Sequence, residues 1–235
     1  MRDTKDHLIV ALDVPSLDEL RQLCRLLQGE VGMVKIGLGH LGYGLHEAVD
    51  IAHQYGHKIF LDLKLFDIGA TVSRSVEGLC QLPIDMLTVH GDPHVVRAAF
   101  EGRARGQGKF SILAVTILTS LDAVDIDACQ FAPMPVELLV EKRAQLAVQA
   151  GADGVIASPA EAKRLRELLG PSFYIVTPGV RPHGADQNDQ KRVATPRDAI
   201  QAGASHIVVG RPIIHANDPL EATRNLLLPL AGMTA

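Results

Sequence analysis

The segment FLDLKLFD, residues 60–67, places two carboxylates and an ammonium, those of Asp62, Asp67 and Lys64, within an otherwise apolar run. Burying ionised groups is costly unless they are paired or put to use. The pattern recurs at other apolar runs: Asp13 ends LIVALD, Lys35 ends GMVK and His90 ends MLTVH. Any one of these groups alone reads as a paired structural ion, and Asp67 alone reads as a helix N-cap. Together they read otherwise, because carboxylates and ammonium groups that perturb one another are the equipment of proton transfer and electrostatic catalysis. A second constellation lies near the end of the chain. In HIVVGRPI, Gly210 permits close backbone approach and Arg211 offers a rigid guanidinium fork suited to phosphate.

These side chains need a scaffold that brings several segments to one place. Short runs rich in β-branched residues predict strands at 8–14, 32–38, 58–65, 85–91, 111–118, 154–158, 173–179 and 206–212. Amphipathic helical patterns lie between them, such as LDELRQLCRLLQ (17–28) and VELLVEKRAQLAVQAG (136–151). Eight such alternations in 235 residues is the count of an α/β fold of the (β/α)₈ TIM-barrel type, and no linker divides residues 1–235 into more than a single domain. The alternative, a doubly wound open sheet, needs fewer strands, and ALDVPS after the first run is not a G-x-G-x-x-G turn.

Along a strand, side chains alternate between faces. Ile59, Leu61, Leu63 and Leu65 then pack under the helices, while Phe60, Asp62 and Lys64 point into the barrel. Asp62 and Lys64 fall at the C-terminal mouth, where barrel enzymes build their sites and where the loops after strands seven and eight hold phosphate. The polar connection RPHGADQNDQKRVATP, residues 181–196, follows strand seven and reads either as a mobile lid or as a plain surface loop. His53 and His57, spaced i, i+4, precede strand three and face the opposite end, as ordinary surface histidines.

Composition narrows the partners. A net charge of −4 without a basic tail gives no electrostatic reason to expect nucleic acid. No apolar run approaches the roughly 20 residues that span a bilayer, and the charges at Arg2, Asp3, Lys5 and Asp6 do not begin a signal peptide. Cys24, Cys80 and Cys129 are odd in number and form no C-x-x-C pair, so they are expected as reduced thiols of a cytoplasmic protein, with no metal site.

The chain resembles the orotidine 5′-phosphate decarboxylase family through ALDV (11–14), VKIG (34–37), DLKLFDIGATV (62–72), TVH (88–90), LTS (118–120), VTPGVR (176–181) and VVGRPI (208–213). The resemblance implies cofactor-free conversion of orotidine 5′-monophosphate to uridine 5′-monophosphate (UMP) in pyrimidine biosynthesis. It implies that Lys35, Asp62, Lys64 and Asp67 form a charged network at the reacting carbon, with Lys64 the proton donor. Asp13 and Lys35 would hold the ribose, Thr119 and Ser120 the pyrimidine, and Arg181, Gln190, Gly210 and Arg211 the phosphate. A homodimer is implied too, with Asp67, Ile68 and Thr71 reaching the neighbouring site. The sequence departs from the common bacterial run DLKxHDIPNTV at Phe66 and at Gly69-Ala70, which bears on loop shape and leaves the charges intact.

Two rivals remain at this level. A metal-dependent sugar-phosphate decarboxylase or synthase of the same superfamily shares D-x-K-x-x-D but carries a metal-ligating acid where this chain has Lys35, a poor neighbour for Mg²⁺. A non-catalytic phosphate-binding barrel keeps Arg211 but has no need of Asp62, Lys64 and Asp67 together.

Overall fold

The computed structural model describes residues 3–131, 133–181 and 194–231. Eight parallel strands close into a barrel in chain order, with the last pairing back onto the first. They are β1 (Leu8–Ala11), β2 (Met33–Gly37), β3 (Lys58–Leu65), β4 (Met86–His90), β5 (Ser111–Val115), β6 (Gly154–Ile156), β7 (Tyr174–Pro178) and β8 (His206–Val209). The helices of the first half are α1 (Leu17–Leu26), α2 (Leu45–Gln54), α3 (Gly69–Leu79), α4 (Pro93–Arg105) and α5 (Ala123–Ala128). Those of the second are α6 (Val136–Gln149), α7 (Pro159–Leu169), α8 (Pro196–Gln201), α9 (Arg211–Ile214) and α10 (Pro219–Leu227). This is the (β/α)₈ barrel expected from the alternation of strand and helix patterns.

Local chemistry sets the helix starts. Ser16 caps α1 by accepting the Glu19 N–H at 3.2 Å, and Leu20 and Cys24, one turn apart, bury the inner face. Burial pushes the Cys24 thiol up to about 12 against the opposing pull of Arg21, which keeps it protonated. Ser158 and Glu161 form a capping box at α7, where Pro159 opens the helix. The expected eighth strand stops early for a similar reason: Pro212 lacks the N–H a ladder needs, so RPII turns into α9 after Gly210.

The core has two layers. Ile9, Met33, Phe60, Met86, Leu113 and Val176 are among the residues filling the barrel interior, and a larger cluster lies between strands and helices. Ile59, Leu61, Leu63 and Leu65 belong to that outer layer and Phe60 to the inner one, as alternation requires. His57 corrects the expectation of a surface side chain. It is buried, and its Nε2–H donates to the Cys24 carbonyl at 2.7 Å, tying the start of β3 to α1.

The β3 strand is irregular where its charges sit. Leu61 pairs with Leu87 and Leu65 with Val89, so residues 62–64 face Thr88 across a bulge. Lys64 takes a left-handed backbone conformation, φ 47°. A side chain in that region costs about 1–2 kcal/mol, and strain of this kind is held in place by its surroundings and gathers at functional sites.

Candidate active site

Register brings the first three strands together at the barrel mouth. Ala11 lies opposite Lys35, and Gly37 opposite Asp62. Lys35 Nζ donates to Asp13 Oδ1 and Oδ2 at 3.0 and 3.2 Å and stands 3.5 Å from Asp62 Oδ2. Lys64 Nζ donates to Asp62 Oδ1 and Oδ2 at 2.8 and 2.9 Å. The result is a continuous chain of alternating charge, Asp13–Lys35–Asp62–Lys64. A Cβ on Gly37 would lie 3.1 Å from Lys35 Nζ and 3.4 Å from Asp13 Oδ1, so the missing side chain is what leaves room for the pair.

Asp62 is the buried centre of this chain. Burial alone would raise its pKa, but the charges of Lys35 and Lys64, with hydrogen bonds from Lys64 and Thr88, outweigh it and hold the carboxyl below its ordinary value. A depressed folded-state pKa gives stability that is complete above the unfolded value, about 3.9 for aspartate, and that drains away as pH falls through the folded value. Urea melts should therefore show the stability difference between wild type and Asp62→Asn moving against the wild type as pH falls below about 5. A difference that stays constant on acidification would mean that Asp62 is not held ionised.

Asp67 stands apart from the chain. It is exposed, its Oδ1 accepts the Ile68 N–H at 2.7 Å, and it makes no ion pair among the described residues. Its neighbours Phe66 and Ile68 are 61% and 71% exposed, and Thr71 lies on the first turn of α3. The Phe66 ring packs 5.1 Å from that of His90 and 6.3 Å from that of His94. His90 is half-buried, with Nδ1 3.8 Å from Asp92 Oδ2, and Asp92 in turn accepts from Arg143 Nη2 at 3.0 Å. Burial lowers the His90 pKa despite Asp92, an effect helped by Arg143 and Lys64, which favours the neutral ring beside the lysine.

A cavity of about 430 Å³ opens from Asp13 and Lys35 towards the ends of β7 and β8 and is lined there by Gly179, Arg181, Gly210 and Arg211. Arg181 is buried and Arg211 is exposed at the start of α9. The two guanidiniums and the open backbone at Gly210 suit a phosphate. Gln190 and most of the connection 181–196 lie outside the described residues. The connection's two ends are joined: Val180 pairs with Ala194, and the Arg181 N–H donates to the Ala194 carbonyl at 3.0 Å. Thr119, half-buried, lines a smaller recess with Leu121, Ser158 and Glu161, and Ser120 is exposed beside it; neither lines the larger cavity.

Two residues of this site had no role assigned from sequence. Gly37 was one residue of VKIG, and its use shows only when β2 and β3 are in register. Thr88 was one residue of TVH, and its partners lie across the β3 bulge.

Comparisons with known proteins identify the family and the fold. A family model described as "Orotidine 5'-phosphate decarboxylase / HUMPS family" matches residues 6–226. An orotidine 5′-phosphate decarboxylase of Ruegeria pomeroyi is 54% identical over 233 residues, covering 98% of this chain and 96% of that one. A second, from Jannaschia sp., is 54% identical over 227 residues, covering 96% and 98%. The crystal structure of orotidine 5′-phosphate decarboxylase from Lactobacillus acidophilus superposes with a TM-score of 0.83 at 36% identity, covering 96% of this chain and 99% of that one. Sequence, fold and the charged barrel mouth together lead to one assignment: the chain belongs to the orotidine 5′-phosphate decarboxylase / HUMPS family.

Proposed function

We propose that the chain decarboxylates orotidine 5′-monophosphate to UMP in pyrimidine biosynthesis, using fixed charges of its own where other decarboxylases use an electron sink. The observation that carries this reading is the Asp13–Lys35–Asp62–Lys64 chain opening onto a cavity that ends at Arg181 and Arg211. In the reaction the bond from C6 to the carboxylate breaks, CO₂ leaves, and the electron pair stays on C6. The Lys64 ammonium stabilises that carbanion and then protonates it, giving UMP and a neutral amine that solvent reprotonates. Asp62 orients Lys64 and keeps it charged, and Lys35 and Asp13 take the ribose hydroxyls. The pyrimidine role of Thr119 and Ser120 rests on the family resemblance alone, since neither lines the cavity of the single chain. Arg181, Gly210 and Arg211 hold the phosphate, joined by Gln190 as the family resemblance implies, and the binding energy of that remote group is spent at the reacting carbon.

Homodimerisation belongs to this reading. Asp67 and Ile68 are exposed and lead into α3, which with α4 borders a groove of about 620 Å³ lined by Gly69, Ala70, His94 and Arg97. A second copy seated there would take Asp67, Ile68 and Thr71 into its own site. A cytoplasmic, single-domain enzyme fits the free Cys24, Cys80 and Cys129. No helix among the described residues is long and apolar enough to cross a membrane.

Asp62 also argues against the metal-dependent alternative. Two ammonium groups and the Thr88 hydroxyl already surround both of its oxygens, whereas Mg²⁺ wants free oxygen ligands. The purified protein should consume orotidine 5′-monophosphate and yield UMP at an undiminished rate in excess EDTA. No turnover of that nucleotide would refute the reading, and a loss restored by Mg²⁺ would favour the metal enzyme.

A further inference from the structure

We propose that Thr88 is a positioning residue for the decarboxylation, its hydroxyl closing a ring of hydrogen bonds that starts and ends on Lys64. The proposal rests on the decarboxylase reading above. Thr88 is fully buried on β4, opposite the bulge where residues 62–64 leave the β3–β4 ladder. A regular ladder would satisfy the Lys64 amide with a carbonyl. Here the Lys64 N–H donates to Thr88 Oγ1 at 2.9 Å, and the Thr88 hydroxyl donates to Asp62 Oδ1 at 2.8 Å. Asp62 then accepts the Lys64 ammonium at 2.8 Å.

The direction of this ring is fixed. A hydroxyl has one proton to give, and Asp62, held ionised, is an acceptor without a proton. The oxygen of Thr88 is therefore turned to receive the Lys64 amide, which also holds Lys64 at φ 47°. One buried group thus sets both the backbone from which the Lys64 side chain departs and the carboxylate on which its ammonium lands. Full burial leaves no water to take over either bond.

Thr88→Val keeps the shape of the side chain and removes the hydroxyl, whereas Thr88→Ser keeps the hydroxyl and removes a methyl. The phosphate-side groups sit on other strands, so the split should appear in kcat. Thr88→Val should lose about 10- to 100-fold in kcat, the scale of an ångström-sized misplacement, with KM and the stoichiometry of UMP binding close to wild type. Thr88→Ser should recover most of that loss. A kcat for Thr88→Val within twofold of wild type would overturn the proposal. So would a fall in Thr88→Ser equal to that in Thr88→Val, or a Thr88→Val loss explained wholly by fewer UMP-binding sites, since either marks a packing role. If Thr88→Val does not fold, Thr88→Cys takes its place with the same expected drop and the same overturning results. Failure of the wild-type protein to turn over orotidine 5′-monophosphate would instead strike at the decarboxylase reading itself.

Discussion

Lys64→Ala is expected to abolish decarboxylation while leaving a folded protein that still binds UMP. The variant loses the proton donor, worth about 10²–10⁴-fold, and the cation beside the developing carbanion, worth about 10²–10³-fold for a single preorganised donor. Acting on one step, they place the expected loss in kcat at roughly 10⁴-fold or more. The fold should survive, because Asp62 keeps the Thr88 hydroxyl at 2.8 Å and the Lys35 ammonium at 3.5 Å after Lys64 is truncated. UMP binding should survive as well, since Asp13, Lys35, Arg181 and Arg211, read as the ribose and phosphate groups of the cavity, stay in place. Steady-state assays and isothermal titration with UMP check the two halves separately. Turnover within tenfold of wild type would remove Lys64 from the chemistry.

The features legible in the sequence were those that repeat. Eight apolar runs with helical patterns between them called for a barrel, and the alternation in residues 58–65 assigned Leu61 outward and Asp62 inward. That assignment survived the bulge for a simple reason. From Leu61 to Leu65 β3 advances four positions while β4 advances two, from Leu87 to Val89, and both steps are even, so both ends stay on the outer face. The bulge itself was invisible, because FLDLKLFD contains no glycine to mark a left-handed residue. Lys64 adopts that conformation through partners in another strand, and a sequence read one segment at a time does not show them.

The same limit explains the other differences. His57 looked like a surface histidine because its partner is the Cys24 carbonyl, 33 residues earlier, and a carbonyl has no sequence signature. Gly37 stands in the sequence only as the last residue of VKIG, and the space that its absent side chain leaves beside Lys35 and Asp13 shows only once β2 and β3 are in register. The end of β8, in contrast, was written in the chain: Pro212 forbids a further ladder bond, and heeding it would have ended the strand before Arg211.

Asp67 supplies the second large effect, and the expected result is recovery of activity from two inactive proteins. Asp67→Ala and Lys64→Ala should each be nearly inactive. If Asp67 acts in the neighbouring site, a mixed dimer of the two variants has one intact site: Lys64 from the Asp67→Ala chain and Asp67 from the Lys64→Ala chain. Its other site lacks both groups. Random exchange between equal amounts makes half of the dimers mixed, each with one of two sites intact, so the mixture should reach about a quarter of wild-type activity, as closed two-fold symmetry requires. Should Asp67 serve its own site, no combination restores a complete set and the mixture stays as inactive as its parents. The geometry of the single chain favours recovery, because the Asp67 carboxylate is exposed, is committed to the Ile68 N–H at 2.7 Å, and makes no ion pair with Lys64.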